Sequence, residues 1–372
     1  MGTDKPQHLG IFAFFETVPE PRVERTRRHP LMSILVIALL TMICVGEGWE
    51  DMEAFGLAKE AWLRTFLDLP FGIPSEDTFR RVLSALNPKA FNACFIAWVQ
   101  ALSQGTAGKL IPIDGKTVRH SFDRATGKKA LHVVSAWIAD NRLTLGQIAT
   151  EEKSNEITAI PKLLELLDIR GATITVDAMG CQKEIAAKIV DQGGDYALAL
   201  KGNQGNLYDD VRRYLDDPAA QTIAMQPVVE ADHGRIETRT ATVSNDIAWL
   251  QDDHQWPGLQ AIGKVTRTRE INLKTTTETA YYLLSAPVTP TRLGEIVRAH
   301  WGVENSLHWV LDVTMNEDQA RNRLDNGPAN LAVLRHMALN ILNAKKSKIS
   351  TRRKIKRAGW SNAFLAELIA QI

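Results

Sequence analysis

Near residue 105 the hydrophobic period of this chain changes, and that change constrains the fold more than any other feature. Before it, apolar residues recur at helical spacing; after it, short β-branched runs alternate with helical segments. Residues 109–114 read as a short strand. Residues 131–139 and 143–150 read as two longer ones, turned by Asp140, Asn141 and Arg142. A helix over 156–167 follows, despite Pro161, then a strand over 172–177. A helix over 182–192, a strand over 196–200 and a helix over 203–215 complete the alternation. From about 218 to 286 the pattern is strand-like again, over 236–243, 261–268 and 275–284. A long helix from 293 to about 313 carries Ile296, Val303, Leu307 and Val310 on one face, and a last helical stretch covers 328–344. Three successive strands followed by strict alternation predict an α/β fold with a mixed sheet and helices on its faces. This is the RNase H-like order, with a β-rich insertion before its last helix.

Residues 1–105 predict an all-helical N-terminal domain. Pro30 opens one helix and Gly46 and Gly48 end it; Ser75 caps another, with Glu76 and Asp77 in its first turn. The apolar run 31–45 is shorter than the roughly 18 residues of a membrane span, so a buried helix is expected. The expected division is therefore helices to 105, a sheet domain over 106–345 and a basic tail with a short helix over 346–372. The net charge of +1 says nothing about partners, but its distribution does. Lys345, Lys346, Lys348, Arg352, Arg353, Lys354, Lys356 and Arg357 crowd one stretch without an acid, and Arg22, Arg25, Arg27 and Arg28 form a second cluster. Such clusters suit phosphate backbones, and equally a solvated surface. Cys44, Cys94 and Cys181 match no zinc or redox spacing, which suits reduced thiols in a cytoplasmic protein. No basic segment followed by an apolar one opens the chain, so no signal peptide or membrane partner is expected. No glycine-rich nucleotide fingerprint occurs either.

Two aspartates stand where apolar strands end: Asp114 in Ile-Pro-Ile-Asp-Gly-Lys and Asp177 in Ile-Thr-Val-Asp-Ala-Met-Gly. Strand ends are where open α/β sheets present ligands, and a carboxylate there needs a compensating cation. Glu304 lies on the long helix, in one stripe with His300 and His308 four residues to either side. In-line cleavage of a phosphodiester calls for charge stabilisation on both the attacking and the leaving oxygen. Two Mg²⁺ ions about 4 Å apart supply it, and hard cations of this kind take carboxylate and water ligands. Asp114, Asp177 and Glu304 are therefore the candidate catalytic and metal-binding residues, for two Mg²⁺ ions that Mn²⁺ can replace. Candidate DNA contacts are Lys116, Arg119 and His120 after the first aspartate, and Lys201 and Asn203 at a strand-to-helix turn. Arg235, beside His233 in the β insertion, is another. His300, Asn305 and His308 flank the glutamate, and Arg321 and Arg323 follow it. Trp301 and Trp309 read as core residues rather than base-stacking platforms.

Several motifs resemble insertion-sequence transposases related to the H-repeat-associated proteins. They are Pro-Arg-Val-Glu-Arg-Thr-Arg-Arg-His-Pro-Leu (21–31), Gly-Ile-Pro-Ser-Glu-Asp-Thr-Phe-Arg-Arg (72–81), Ile-Asp-Gly-Lys-Thr-Val-Arg (113–119), Val-Asp-Ala-Met-Gly-Cys-Gln (176–182) and Leu-Lys-Gly-Asn-Gln (200–204). The strongest is His-Trp-Gly-Val-Glu-Asn-Ser-Leu-His-Trp-Val-Leu-Asp-Val (300–313), followed by Glu317, Asp318, Arg321 and Arg323. The resemblance implies an RNase H-like catalytic domain with a DDE metal triad on Asp114, Asp177 and Glu304. It also implies a DNA-binding helical N-terminal domain and action on terminal inverted repeats, followed by strand transfer into target DNA. A homodimer is expected from the need to bring two ends together. The sequence departs from many members of the wider group in carrying His300 where they have arginine and Leu311 where they have lysine. Lys201, Arg321 or Arg323 are the candidates to take over that lysine's hold on DNA ends. Three other readings stay open: a decayed, catalytically silent DNA-binding remnant, an RNase H-like nuclease without strand transfer, and a zinc hydrolase using His300, Glu304 and His308.

Overall fold

The computed structural model describes residues 10–103, 105–124, 126–150, 156–232, 234–272 and 274–370. His233 lies outside them. Five helices come first: α1 (Gly10–Phe15), α2 (Leu31–Ile43), α3 (Trp49–Leu63), α4 (Glu76–Ala85) and α5 (Pro88–Ser103). Helix α1 is absent from the sequence reading, because six residues carry too little periodicity to register. Helix α2 follows Pro30 and is buried from Ser33 to Ile43, as its uncharged, largely apolar run requires, with the Ser33 and Thr41 hydroxyls donating to the Asp68 and Ile37 carbonyls. The Ser75 hydroxyl accepts from the Thr78 N–H and starts α4. Among the described residues no single helix is long and apolar enough to cross a membrane.

The sheet follows: β1 (Leu110–Val118), β2 (Leu131–Ile138), β3 (Leu143–Thr150), α6 (Glu156–Glu165), β4 (Thr173–Val176), α7 (Lys183–Asp191), β5 (Asp195–Leu200) and α8 (Asn206–Asp216). Five strands stand in the order β3-β2-β1-β4-β5, with β1, β4 and β5 parallel and β2 and β3 antiparallel. This is the RNase H-like arrangement. Pro161 sits inside α6.

The β-rich insertion continues this same sheet. It comprises β6 (Ile223–Ala224), β7 (Val228–Asp232), β8 (Arg235–Ser244), a short helix α9 (Ala248–His254), β9 (Ala261–Ile271) and β10 (Lys274–Leu284). Strand β10 pairs antiparallel with β5, β9 with β10 and β8 with β9, giving one ten-stranded mixed sheet. Helix α10 (Pro290–Val303) starts where Thr289 caps the Arg292 N–H, and packs across β1, β4, β8 and β9. The single helix expected over 293–313 is continuous in direction but not in type. After Val303 it widens into π-helical turns at Glu304–His308 and Val310–Thr314.

Helix α11 (Gly327–Ala344) is buried along most of its length and packs against α2, α4, α5 and β3. It also closes the edge of the sheet. Asn340 accepts from the Thr144 N–H and donates to the Thr144 carbonyl, both at 2.8 Å, so a side chain takes the place of a neighbouring strand. The N-terminal helices and the first five strands thus share one hydrophobic core. The basic stretch at the end is not a free tail. It folds as α12 (Thr351–Trp360) and α13 (Asn362–Ile369), with Ile355, Ala358, Phe364, Leu365 and Leu368 buried. Lys354 turns inward and donates to the Leu342 and Lys345 carbonyls, at 2.6 and 2.5 Å, where the C-terminal end of α11 attracts a cation.

Candidate active site

Strand β1 runs past Asp114, so this residue is mid-strand and not terminal as the sequence suggested. The reason lies in its two neighbours. On one side β2 continues to pair, with Gly115 opposite Val134 and Val118 opposite Leu131. On the other, β4 pairs with β1 only as far as Ile113 opposite Val176. The next residue in each strand is therefore an aspartate: Asp114 on a half-paired strand and Asp177 leaving the sheet. The Asp177 carboxylate is held there by the Met179 and Gly180 N–H groups, at 3.0 and 3.2 Å. The Asp114 carboxylate accepts from the Gly115 N–H at 2.9 Å.

Helix α10 delivers the third carboxylate. Its end lies over β1 and β4, and Glu304 opens the first π-helical turn. Such wide turns shift the facing of the residues after them. Here His308 is buried, and its Nδ1 lies 3.4 Å from Glu304 Oε2 and 3.6 Å from Asp114 Oδ2. Asp114, Asp177 and Glu304 line one cleft of about 220 Å³, together with Lys201, His300 and Trp301. Its floor is of small apolar residues, Ala197 and Ala199 of β5 and Ala280 of β10. The His300 Nδ1 is 2.9 Å from the Thr175 hydroxyl of β4, and burial keeps its ring below its ordinary value.

Burial pushes the Asp114 carboxyl up to about 6; the imidazole of His308 and the Gly115 N–H oppose this, and the charges of Glu304 and Asp177 add to it. Crowded carboxylates of this kind are the environment a cation relieves. Ligand atoms of Asp114, Glu304 and His308 lie within 4.8 Å of one another, close enough to share one ion. A donor set led by carboxylates suits Mg²⁺ or Mn²⁺. His300 and Asp177 are both outside this group, so neither the zinc arrangement of His300, Glu304 and His308 nor a cluster of all three carboxylates is drawn together to that distance among the described residues.

Lys116 does not face outward to a phosphate. It is 9% exposed, and its ammonium lies 2.6 Å from Asp312 and 2.9 Å from Glu317. Burial lowers its proton affinity, but these carboxylates more than restore it. Glu317 is itself buried: burial raises its carboxyl, and Lys116 and Arg335 hold it below the ordinary range. His120 bonds through Nδ1 to the Asp318 carbonyl, and Arg323 donates to the His120 carbonyl at 3.0 Å and covers the Phe122 ring. Asn203 donates to the Ala178 carbonyl at 2.8 Å, which ties the loop after β5 to the one bearing Asp177. Arg119, Lys201, Arg235, Asn305 and Arg321 are exposed. Trp301 and Trp309 are 57% and 55% exposed, so they are not core residues; they share one outer face of the helix eight residues apart.

The sequence reading missed a pair behind the site. His132 Nε2 of β2 lies 2.6 Å from Glu156 Oε1 of α6, against the backbone of Gly115. A Cβ on Gly115 would come within 2.4 Å of both atoms. Only a glycine lets this buried pair approach the strand beside Asp114, and nothing in the local sequence links residues 115, 132 and 156.

Residues 106–341 match the family model of the transposase DDE domain, and residues 12–99 match the model described as DDE_Tnp_1-associated. YhhI of Escherichia coli K12, named as a candidate H repeat-associated transposase, is 41% identical over 375 residues, covering 98% of this chain and 97% of that protein. YncI of Escherichia coli O157:H7, also named as a candidate transposase, is 39% identical over 370 residues, covering 97% of this chain and 94% of that protein. The solved piggyBac transposase synaptic complex with hairpin DNA aligns with 97% of this chain and 77% of that one, at 10% identity and a TM-score of 0.43, a likeness too slight to argue from. With a domain model matched over most of its length and relatives this similar from end to end, the chain belongs to the DDE transposase family.

Proposed function

We propose that this protein cuts DNA at the terminal inverted repeats of an insertion sequence and joins the freed 3′-hydroxyl to target DNA. The observation that carries this reading is the meeting of Asp114, Asp177 and Glu304 on one cleft, from a strand, a loop and a helix distant in sequence. In this reading Asp114, Asp177 and Glu304 would hold two Mg²⁺ ions, with Mn²⁺ able to substitute. Bound ions there supply Lewis-acid polarisation of the phosphate and an acidified water.

The chain's own residues do the rest. The two N–H groups on Asp177 fix one carboxylate before any ligand arrives, which limits reorganisation on binding. His308, pressed against Asp114 and Glu304, orients both. Lys201, exposed at the rim of the cleft, is placed to meet a phosphate oxygen, and Arg119, Arg235, Asn305 and Arg321 are exposed for backbone contacts, although Arg119 pairs with Asp318 at 3.3 Å and Arg235 with Glu237 at 3.8 Å. Two DNA ends must meet for transposition, so a homodimer is the assembly proposed.

The joining step separates this function from that of a nuclease. A duplex ending in the element's terminal repeat with an exposed 3′-hydroxyl is mixed with supercoiled target plasmid and Mg²⁺ or Mn²⁺. Labelled end covalently attached to plasmid is the predicted product. Cleavage without attachment would reduce the protein to a nuclease, and end binding without either reaction to a silent remnant.

A further inference from the structure

A second cleft, sharing no residue with the first, lies between the segment before α2 and helix α4. It encloses about 740 Å³, within the range of sites that hold small molecules. Arg22, Arg28 and Arg81 line it together with His29, and none of its lining residues is an aspartate or glutamate. Its wall includes Phe71, a large aromatic side chain left 56% exposed. The Arg28 guanidinium carbon sits 5.0 Å from the centre of that ring, and the His29 ring meets it edge-on at 6.3 Å. The hydroxyls of Thr26 and Thr78 also line it, Thr26 donating to the Val23 carbonyl at 2.8 Å and Thr78 lying 3.2 Å from the Ser75 hydroxyl.

The charges around the cleft are not equally committed. Arg22 is spoken for: it forks onto Glu20 at 2.7 and 2.8 Å and donates to the His29 carbonyl. Arg81 shares Asp77 with Arg80, so two cations meet one carboxylate. Arg28 has no carboxylate partner among the described residues and lies on Phe71 instead. His29 is buried, with no hydrogen-bond partner at Nδ1. A concave site with surplus positive charge, an exposed ring and no acid fits a ligand that is flat and apolar at one end and anionic at the other.

We propose that this cleft binds one unpaired nucleotide of a DNA strand, its base stacked on the Phe71–Arg28 platform and its phosphate met by Arg81. Aromatic rings and guanidinium planes both stack bases without regard to sequence, and arginine meets phosphate in a forked geometry. A cleft of this size takes one nucleotide and not a duplex, so the site selects DNA that has been opened. This rests on the protein's acting on DNA, as proposed above, but not on its cutting or joining it.

The test is binding of fluorescein-labelled (dT)12 and of a blunt duplex of the same length to the full chain, read by anisotropy. Native protein is compared with Phe71→Ala, Phe71→Trp and Arg28→Ala. Phe71 is more than half exposed, so its truncation leaves the core intact, and an unchanged melting curve checks this. Phe71→Ala and Arg28→Ala are predicted to weaken (dT)12 binding roughly tenfold and to change duplex binding less than twofold, with Phe71→Trp near native. Equal (dT)12 binding by native protein and Phe71→Ala, or an equal loss on both DNAs, overturns the proposal. If plasmid joining succeeds while (dT)12 is indifferent to Phe71, this inference alone fails. If (dT)12 binding depends on Phe71 while no joining occurs, the cleft stands and the transposition reading falls.

Discussion

His336 shows how tightly single residues are committed around the site. It is buried on α11 and bonds to Gln147 of β3, and burial pushes its imidazole down to about 4. The unfolded chain takes up a proton there near 6.5, whereas the folded protein does not until about 4. Between those values the unfolded state holds more protons, so stability rises with pH and falls on acidification. The linked loss across that window is on the order of 3 kcal/mol. Thermal melts at pH 7.5 and pH 5 are therefore predicted to differ more for native protein than for His336→Gln, which cannot take up the proton. Equal differences would contradict the assignment. At this scale the sequence was readable where a residue's role follows from its own element. Asp177 follows the end of β4 as its sequence suggests, whereas Asp114 reaches the same cleft from mid-strand, because β4 stops pairing with β1 at Ile113. The inward turn of Lys116 depends on Asp312 and Glu317, about two hundred residues away, and no local pattern carries it.

Among the elements, the π-helical continuation of α10 most clearly exceeds what the sequence shows. Ile296, Val303, Leu307 and Val310 were read at one helical spacing, and the direction of the helix was right. The widened turns depend on tertiary packing, since Leu307 and Leu311 are both buried while Trp309 faces out. That geometry explains the departure at Leu311. It is 1% exposed and packed in the main core, so a lysine there would bury its charge rather than reach DNA. Leu311→Lys is predicted to cost roughly 3 kcal/mol or more, visible as a lower denaturation midpoint, without tightening the hold on a DNA end. A variant of native stability that binds terminal-repeat DNA more strongly would refute this placement. The basic stretch after residue 345 carries a related lesson. Its charge pattern suggested a tail, yet Ile355, Ala358, Phe364 and Leu365 supply an apolar face that packs it down.

For the whole molecule, the order of strands and helices was legible because a change of period marks the sheet, and RNase H-like connectivity leaves few alternatives. What the order does not reveal is that the insertion widens the same sheet, or that the N-terminal helices, α11 and β3 form one core. Both depend on pairing between distant segments. The consequence is mechanical: a rigid sheet, closed at one edge by Asn340, holds two aspartates at the point where β1 and β4 part, and α10 lays a glutamate over them. The claim that these three carboxylates form one metal-dependent cutting site is tested most directly by incubating a labelled duplex bearing the element's own end with Mg²⁺ or Mn²⁺. Native protein and Asp177→Ala are compared. Metal-dependent cleavage at the end is predicted for the native chain, with a loss on the order of a thousandfold or more in the variant. Cleavage that persists in Asp177→Ala, or that proceeds equally well without divalent metal, would contradict the account.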